Sequence, residues 1–343
     1  VLKTTQIAAL TTDGIASFTT AQVQALTTEQ IQAITTSGIA ALLTDQVAAI
    51  ETRDVAVLRT TQVVALTTEG IAALTTEQIQ ALTSAAIAVL NSSQVAAIGT
   101  SQIAALSTAQ VQAITTAGFA AMSTEQIAAI ETRDIAVLKT TQIAELGTSS
   151  IAALTTDQIV AITSVQVQAI TSSGMAALTT DQLVALETRD IAALRTTQVA
   201  ALTTDTIGAL TTAQAQALTS AGIAVLNPNP VAAIGTAQVA ALTTAQVQAI
   251  STSGIAAMST DQVAALETRD IAVLKTTQVQ ALTTDGVAAL STAQAQALTS
   301  AGIAALSTNQ VVAIGTEQIA ALTTAQVQAM TTAGVAALLT GQV

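Results

Sequence analysis

Four copies of Glu-Thr-Arg-Asp hold most of the side chains in this chain that could do chemistry. They begin at Glu51, Glu131, Glu187 and Glu267, and a second cation follows each one. The four cassettes are Glu51, Arg53, Asp54 and Arg59; Glu131, Arg133, Asp134 and Lys139; Glu187, Arg189, Asp190 and Arg195; and Glu267, Arg269, Asp270 and Lys275. Every basic residue except Lys3 lies in one of them. Two acids beside two cations can pair, and two readings follow. In one, the cassette is a solvated, locally neutral ion cluster that adds little to stability. In the other it is a lateral contact that sets the stagger between neighbouring coils or turns, because charge pairs fix register more than they add affinity. General acid–base work is not expected of these carboxylates, since each has an adjacent Arg and no insertion forms a pocket around it.

The rest of the composition removes other chemistries. The 343 residues include no His, Cys, Trp or Tyr and two Phe. This leaves no histidine base, thiol nucleophile, disulfide framework or usual zinc ligand set. The abundant Ser and Thr are therefore hydroxyl surface rather than activated nucleophiles. Isolated acids such as Asp13, Glu29, Asp157 and Asp261 do not form the converging oxygen sets that calcium requires. No cofactor is expected, and no enzyme. A net charge of −12 argues against nucleic acid, whose binding needs clustered cations. Apolar runs such as residues 85–90 stay far below the about twenty residues of a membrane span, and no signal-peptide pattern opens the chain.

The residues just named sit on a repeat. From Lys3 the chain divides without a gap into 42 octads, beginning KTTQIAAL, TTDGIASF, TTAQVQAL and ending TTAGVAAL at 331–338. Position 2 is Thr or Ser in all but one octad, position 5 is mostly Ile or Val, and position 8 mostly Leu or Ile. Position 4 is Gln in 24 octads and Gly in ten. The whole of 1–343 reads as one continuous array, a window of a longer one. Higher-order blocks run over 51–130, 131–186, 187–266 and 267–343, with cassettes separated by ten, seven and ten octads. Whole octads are gained or lost in threes, so the octad is the structural unit.

Each octad carries several helix-start signals. Thr at position 1 serves as N-cap, and Gln three residues on completes a capping box. The preceding Leu and the residue at position 5 form a hydrophobic staple. Asp or Glu at position 3 meets the positive end of the helix dipole, and Pro228 falls at the first helical position, where Pro is best tolerated. The greater uniformity of position 2 leaves open a capping register one residue later. A continuous helix fails, because eight residues advance the apolar stripe by about 80° beyond two turns. The fold class expected is all-α, a superhelical solenoid of very short helices, one per octad, with about 3.4 octads per turn. The alternative is a β-solenoid, since Thr, Ile and Val favour strands.

Two resemblances arise from these strings. Residues 178–186, LTTDQLVAL, are similar to the opening of the TAL effector repeat, but the longer period, base-reading loop and basic charge of that family are missing. DNA binding is not carried over. The whole chain resembles the LTTxQIxAL arrays of very large bacterial cell-surface and secreted proteins. That resemblance implies an extracellular, self-associating filament or stalk in adhesion or biofilm matrix, with neither nucleic acid nor membrane insertion. Two further readings stand beside it: a Thr-rich module that contacts glycan or ice, and a cytoplasmic scaffold.

Overall fold

The computed structural model describes residues 2–342. Among them each octad forms one short α-helix, from α1 (Thr4–Ala8) to α42 (Thr332–Ala337), and no strand occurs. The all-α solenoid is therefore the fold, and the β-solenoid alternative is wrong. Strand propensity of Thr, Ile and Val yields here to local capping, repeated every eight residues.

Position 1 is the N-cap, so the capping register is not shifted. In octad 19–26 the Thr19 hydroxyl accepts from the Gln22 amide N–H at 3.2 Å, and the Gln22 Oε1 accepts from the Thr19 N–H at 2.8 Å. Where position 1 has no cap side chain, the glutamine half persists: Arg59 N–H donates to Gln62 Oε1 at 3.1 Å. Helices end without any left-handed residue, since no described residue has positive φ. Instead position 8 turns extended, as at Leu66 (φ −61°, ψ 136°), and the next N-cap continues so, as at Thr67 (φ −71°, ψ 166°). Six helical and two extended residues make the octad. The Leu66 N–H still reaches Val63 O at 3.2 Å, closing the last turn tightly.

Positions 4, 5 and 8 share one face, at spacings of one, three and four residues. Positions 5 and 8 supply the core, for example Ile103 and Leu106 in one octad and Val247 and Ile250 in another, all nearly inaccessible to solvent. Burying one Ile and one Leu contributes roughly 3–6 kcal/mol, less than the backbone entropy of ordering eight residues, about 8–16 kcal/mol. No octad is stable without the octads against which it packs.

That packing skips along the chain. Two compact units, Val1–Ala177 and Leu178–Val343, are built alike. In the first, α12 (Ser92–Ala96) packs on α15 (Thr116–Ala121), and in the second α29 (Pro228–Ala233) packs on α32 (Thr252–Ala257). Helix bodies thus meet three octads apart. The glutamine side chains reach four octads back, as described below. One superhelical turn therefore holds between three and four octads, an interval that contains the value expected from the block lengths.

Candidate functional site

The cassettes occupy ordinary octads. Glu51, Thr52, Arg53 and Asp54 take positions 1 to 4, and Arg59 opens the next octad. In each cassette the Arg at position 3 pairs with the Glu at position 1. The distances are 2.8 Å for Arg53–Glu51, 3.0 Å for Arg133–Glu131, and 2.7 Å for both Arg189–Glu187 and Arg269–Glu267. These pairs are open to water, with the Arg side chains about three-fifths exposed, so each pair alone adds little to stability. Arg59, Lys139, Arg195 and Lys275 are also exposed. The Arg59 guanidinium donates to the Gln32 carbonyl, four octads back.

The aspartates do not share that surface. Asp54, Asp134, Asp190 and Asp270 are at most 1% exposed, because position 4 faces the core. The solvated-cluster reading therefore holds for Glu and Arg and fails for Asp. The Thr28 hydroxyl donates to Asp54 Oδ1 and the Thr108 hydroxyl to Asp134 Oδ1, each at 2.7 Å and each from three octads earlier. The Arg Nε atoms stand farther off, 3.6 to 3.9 Å from the carboxylates. Asp270 accepts the Glu267 N–H at 3.3 Å. Burial is the main effect on Asp270 and raises its pKa above the ordinary aspartate value; the Glu267 N–H and the Arg269 charge partly offset it.

A second connection joins the same octads. Gln32, Gln112 and Gln248, at position 6 three octads before a cassette, donate to the carbonyls of Val57, Val137 and Val273 at 2.9, 2.7 and 2.7 Å. Each of these cassettes is thereby tied to the turn before it.

What sequence reasoning missed is the other end of the capping glutamine. In octad 123–130, Gln126 Oε1 accepts from the Ser123 N–H at 2.7 Å. Its Nε2 donates to the carbonyls of Val95, Ala96 and Ile98 at 2.9, 3.3 and 2.6 Å, four octads back. In the second unit Gln246 makes the same set, to Ala215, Gln216 and Leu218 at 2.9, 3.2 and 2.6 Å. One side chain starts its own helix and closes the last carbonyls of another. The available signal was the choice of amide over acid. A capping box accepts Glu as readily as Gln, yet Glu never stands at position 4. A carboxylate could cap, but it could not donate to the carbonyls.

Glycine at position 4 answers a packing demand. A Cβ on Gly38, Gly118, Gly174 or Gly254 would lie 2.8 to 2.9 Å from the Cγ2 of Ile34, Ile114, Ile170 or Ile250. At Gly70, where the preceding position 8 is Leu66, the nearest side-chain carbon is 3.6 Å away. At these four positions the branched methyl of Ile takes the space of a side chain, whereas Gln102 and Gln166 are accommodated after Ile98 and Ile162.

Among the described residues no three acidic side chains converge as a metal site requires, and no helix is long and apolar enough to cross a membrane. A surface depression of about 260 Å³ beside the fourth cassette is lined by Gln216, Ala241, Thr243, Thr244 and Arg269. Three of its polar side chains are engaged: Gln216 Nε2 donates to Ala241 O at 2.6 Å, the Thr243 hydroxyl donates to Gln246 Oε1 at 3.0 Å, and Arg269 pairs with Glu267.

No curated protein matches the chain. The family model for the ALTTAQ repeat does, at residues 1–28, 15–49, 47–84, 79–108, 95–129, 127–164, 183–220, 231–268, 263–300 and 296–324. Those segments cover most of the sequence and follow the octads whose caps, core and glutamine bonds have just been described, and no catalytic domain is identified beside them. The chain belongs to the ALTTAQ repeat family.

Proposed function

We propose that this repeat array is structural: a segment of an extracellular bacterial filament or stalk that self-associates in adhesion or biofilm matrix and carries out no catalysis. The observation that carries the reading is the glutamine bond, repeated along both units, from a Gln-bearing octad to the octad four before it. It makes every turn the template for the next, so octads can be added without changing the surface. Many weak, repeated contacts along one covalent chain give length and resilience.

The cassettes then set lateral register between copies. Eight of the nine basic residues lie in them, on a surface otherwise made mainly of Thr, Ser, Ala, Gln, scattered acids and single exposed Val and Leu such as Val165 and Leu43. Within each unit the two cassettes are ten octads apart. Packing steps of three, three and four octads span that distance, which favours both cassettes returning to one face. Such spacing suits a partner of the same period, namely a second copy.

Two measurements test this. Electron cryomicroscopy of material shed from the source cells should show long filaments with helical density restarting every octad. Confinement of the protein to the cytoplasm would refute the reading. The joint substitution Arg53→Ala, Arg133→Ala, Arg189→Ala and Arg269→Ala should loosen bundles, and added salt should do the same. Bundling unchanged under both would remove the cassettes from the contact. Solid-phase glycan binding or thermal hysteresis by the purified chain would instead favour a threonine-face binding module.

A further inference from the structure

Position 4 holds a hydrogen-bond donor, Gln, in 24 of the 42 octads, and the cassettes put a carboxylate there. Asp134 is 1% exposed and Asp270 is fully inaccessible. Asp134 Oδ2 and Asp270 Oδ1 are buried without any hydrogen-bond partner. The nearest cation to each is an Arg Nε, at 3.7 Å for Arg133 and 3.9 Å for Arg269, beyond hydrogen-bond distance. Those guanidiniums stay with Glu131 and Glu267 at 3.0 and 2.7 Å. Glutamine at the same position donates to the carbonyls of positions 5, 6 and 8 four octads back, as Gln126 does. For Asp134 the corresponding carbonyls belong to Ile103, Ala104 and Leu106, and for Asp270 to Val239, Ala240 and Leu242.

We propose that Asp270 is a proton-binding joint: it takes one proton from solvent on its partnerless oxygen and becomes a hydroxyl donor to the neighbouring turn, so the array tightens there in acid. No bond other than the new O–H forms or breaks, and no co-reactant is needed. A proton fits because the oxygen is enclosed, leaving no room for a hydrated ion. The inference concerns the array itself and stands apart from what the filament contacts.

The surrounding charges are few. On its own octad Asp134 faces Glu131 and Arg133, and Asp270 faces Glu267 and Arg269. Of the helices packed on α17 (Thr132–Ile135), α14 (Thr108–Ala113) has no ionisable residue and α20 (Thr156–Ala161) has Asp157. The helices on α34 (Thr268–Ile271), α31 (Thr244–Ala249) and α37 (Thr292–Ala297), have none. Adjacent octads add Glu125 and Lys139, or Asp261 and Lys275. Asp270 thus meets two acids and two cations, and burial decides its proton affinity.

The sign follows from linkage. A carboxyl that holds its proton more tightly folded than unfolded contributes stability below its unfolded pKa and loses that contribution as pH rises through its folded pKa. The test compares the full chain with its Asp270→Gln variant, which supplies a donor at every pH. The variant should melt higher at about pH 8, and the gap should close toward about pH 4. A gap independent of pH would overturn the proposal. Carboxyl ¹³C NMR of the unsubstituted chain gives a second readout that does not depend on the variant folding. One of its eleven aspartates should titrate above the exposed ones and vanish from that position in the variant. Titration of all aspartates as one group would also overturn it.

Discussion

Replacing Gln126 by Met keeps the length and apolar stem of the side chain and removes its amide. Three acceptors and one donor lose a partner: the carbonyls of Val95, Ala96 and Ile98, and the Ser123 N–H. They are not equivalent. Val95 O also accepts the Ile98 N–H at 3.1 Å, while Ala96 and Ser123 are exposed and can turn to water. Ile98, 2% exposed, has its carbonyl in the interior. One buried orphan carbonyl costs about 1–3 kcal/mol, and the net loss of the other bonds about 1 kcal/mol more. The total is about 2–4 kcal/mol, placed on a single joint between turns. A long array need not unfold in one step, so an assay that resolves a single joint reads this cost best. Native-state hydrogen exchange resolves local opening, and this cost should speed exchange of the amides in octads 91–98 and 123–130 by about 30- to 700-fold. Octads in the second unit should exchange as before. Gln24→Met, at an exposed position 6, is the control and should change little. Equal effects of the two substitutions would show that the amide bonds between turns do not hold the solenoid together.

Gly118→Ala brings a Cβ to 2.9 Å from Ile114 and 3.0 Å from Val95, so denaturant unfolding should show a loss of about 1–3 kcal/mol from overpacking. Gly70→Ala, whose nearest contacts are 3.4 Å or more, should instead gain about 0.5–1 kcal/mol from helix propensity. Thr75→Ala removes the acceptor of the Gln78 N–H at 3.2 Å and should cost about 1 kcal/mol in the same assay, with Thr75→Ser restoring it. Glu125 has its pKa held below the ordinary glutamate value, first by its own backbone N–H and then by the Ser123 and Thr124 hydroxyls. Its stabilising contribution is therefore present near neutrality and lost as pH falls through the lowered value. Glu125→Gln should reduce the melting temperature slightly near neutrality and have no effect in strong acid, opposite in sign to Asp270.

Local features of the fold are legible in the octad because their partners lie within four residues. The Thr19–Gln22 capping box, the Pro228 helix start and the burial of Ile103 and Leu106 each follow from spacing along one short helix. The exclusive use of Gln over Glu at position 4 was also there to read, since only an amide can both accept and donate. Its meaning was hidden because the carbonyls it reaches are 28 to 31 residues away. Which carbonyls those are depends on how many octads complete a turn, and that number is set by packing between helices rather than by any one octad. The same holds for the cassettes. Their composition identifies charges that can pair, and Arg53 does pair with Glu51 two residues away. Asp54 faces the core and Arg53 water because position 4 shares the buried face with positions 5 and 8, but only the superhelix brings Thr28, three octads earlier, to Asp54. Sequence therefore determined where each helix starts and which residues it buries against its neighbours. Tertiary structure decided which turn those residues meet, because closing a coil from rigid two-turn pieces fixes contacts over distances that no local pattern encodes.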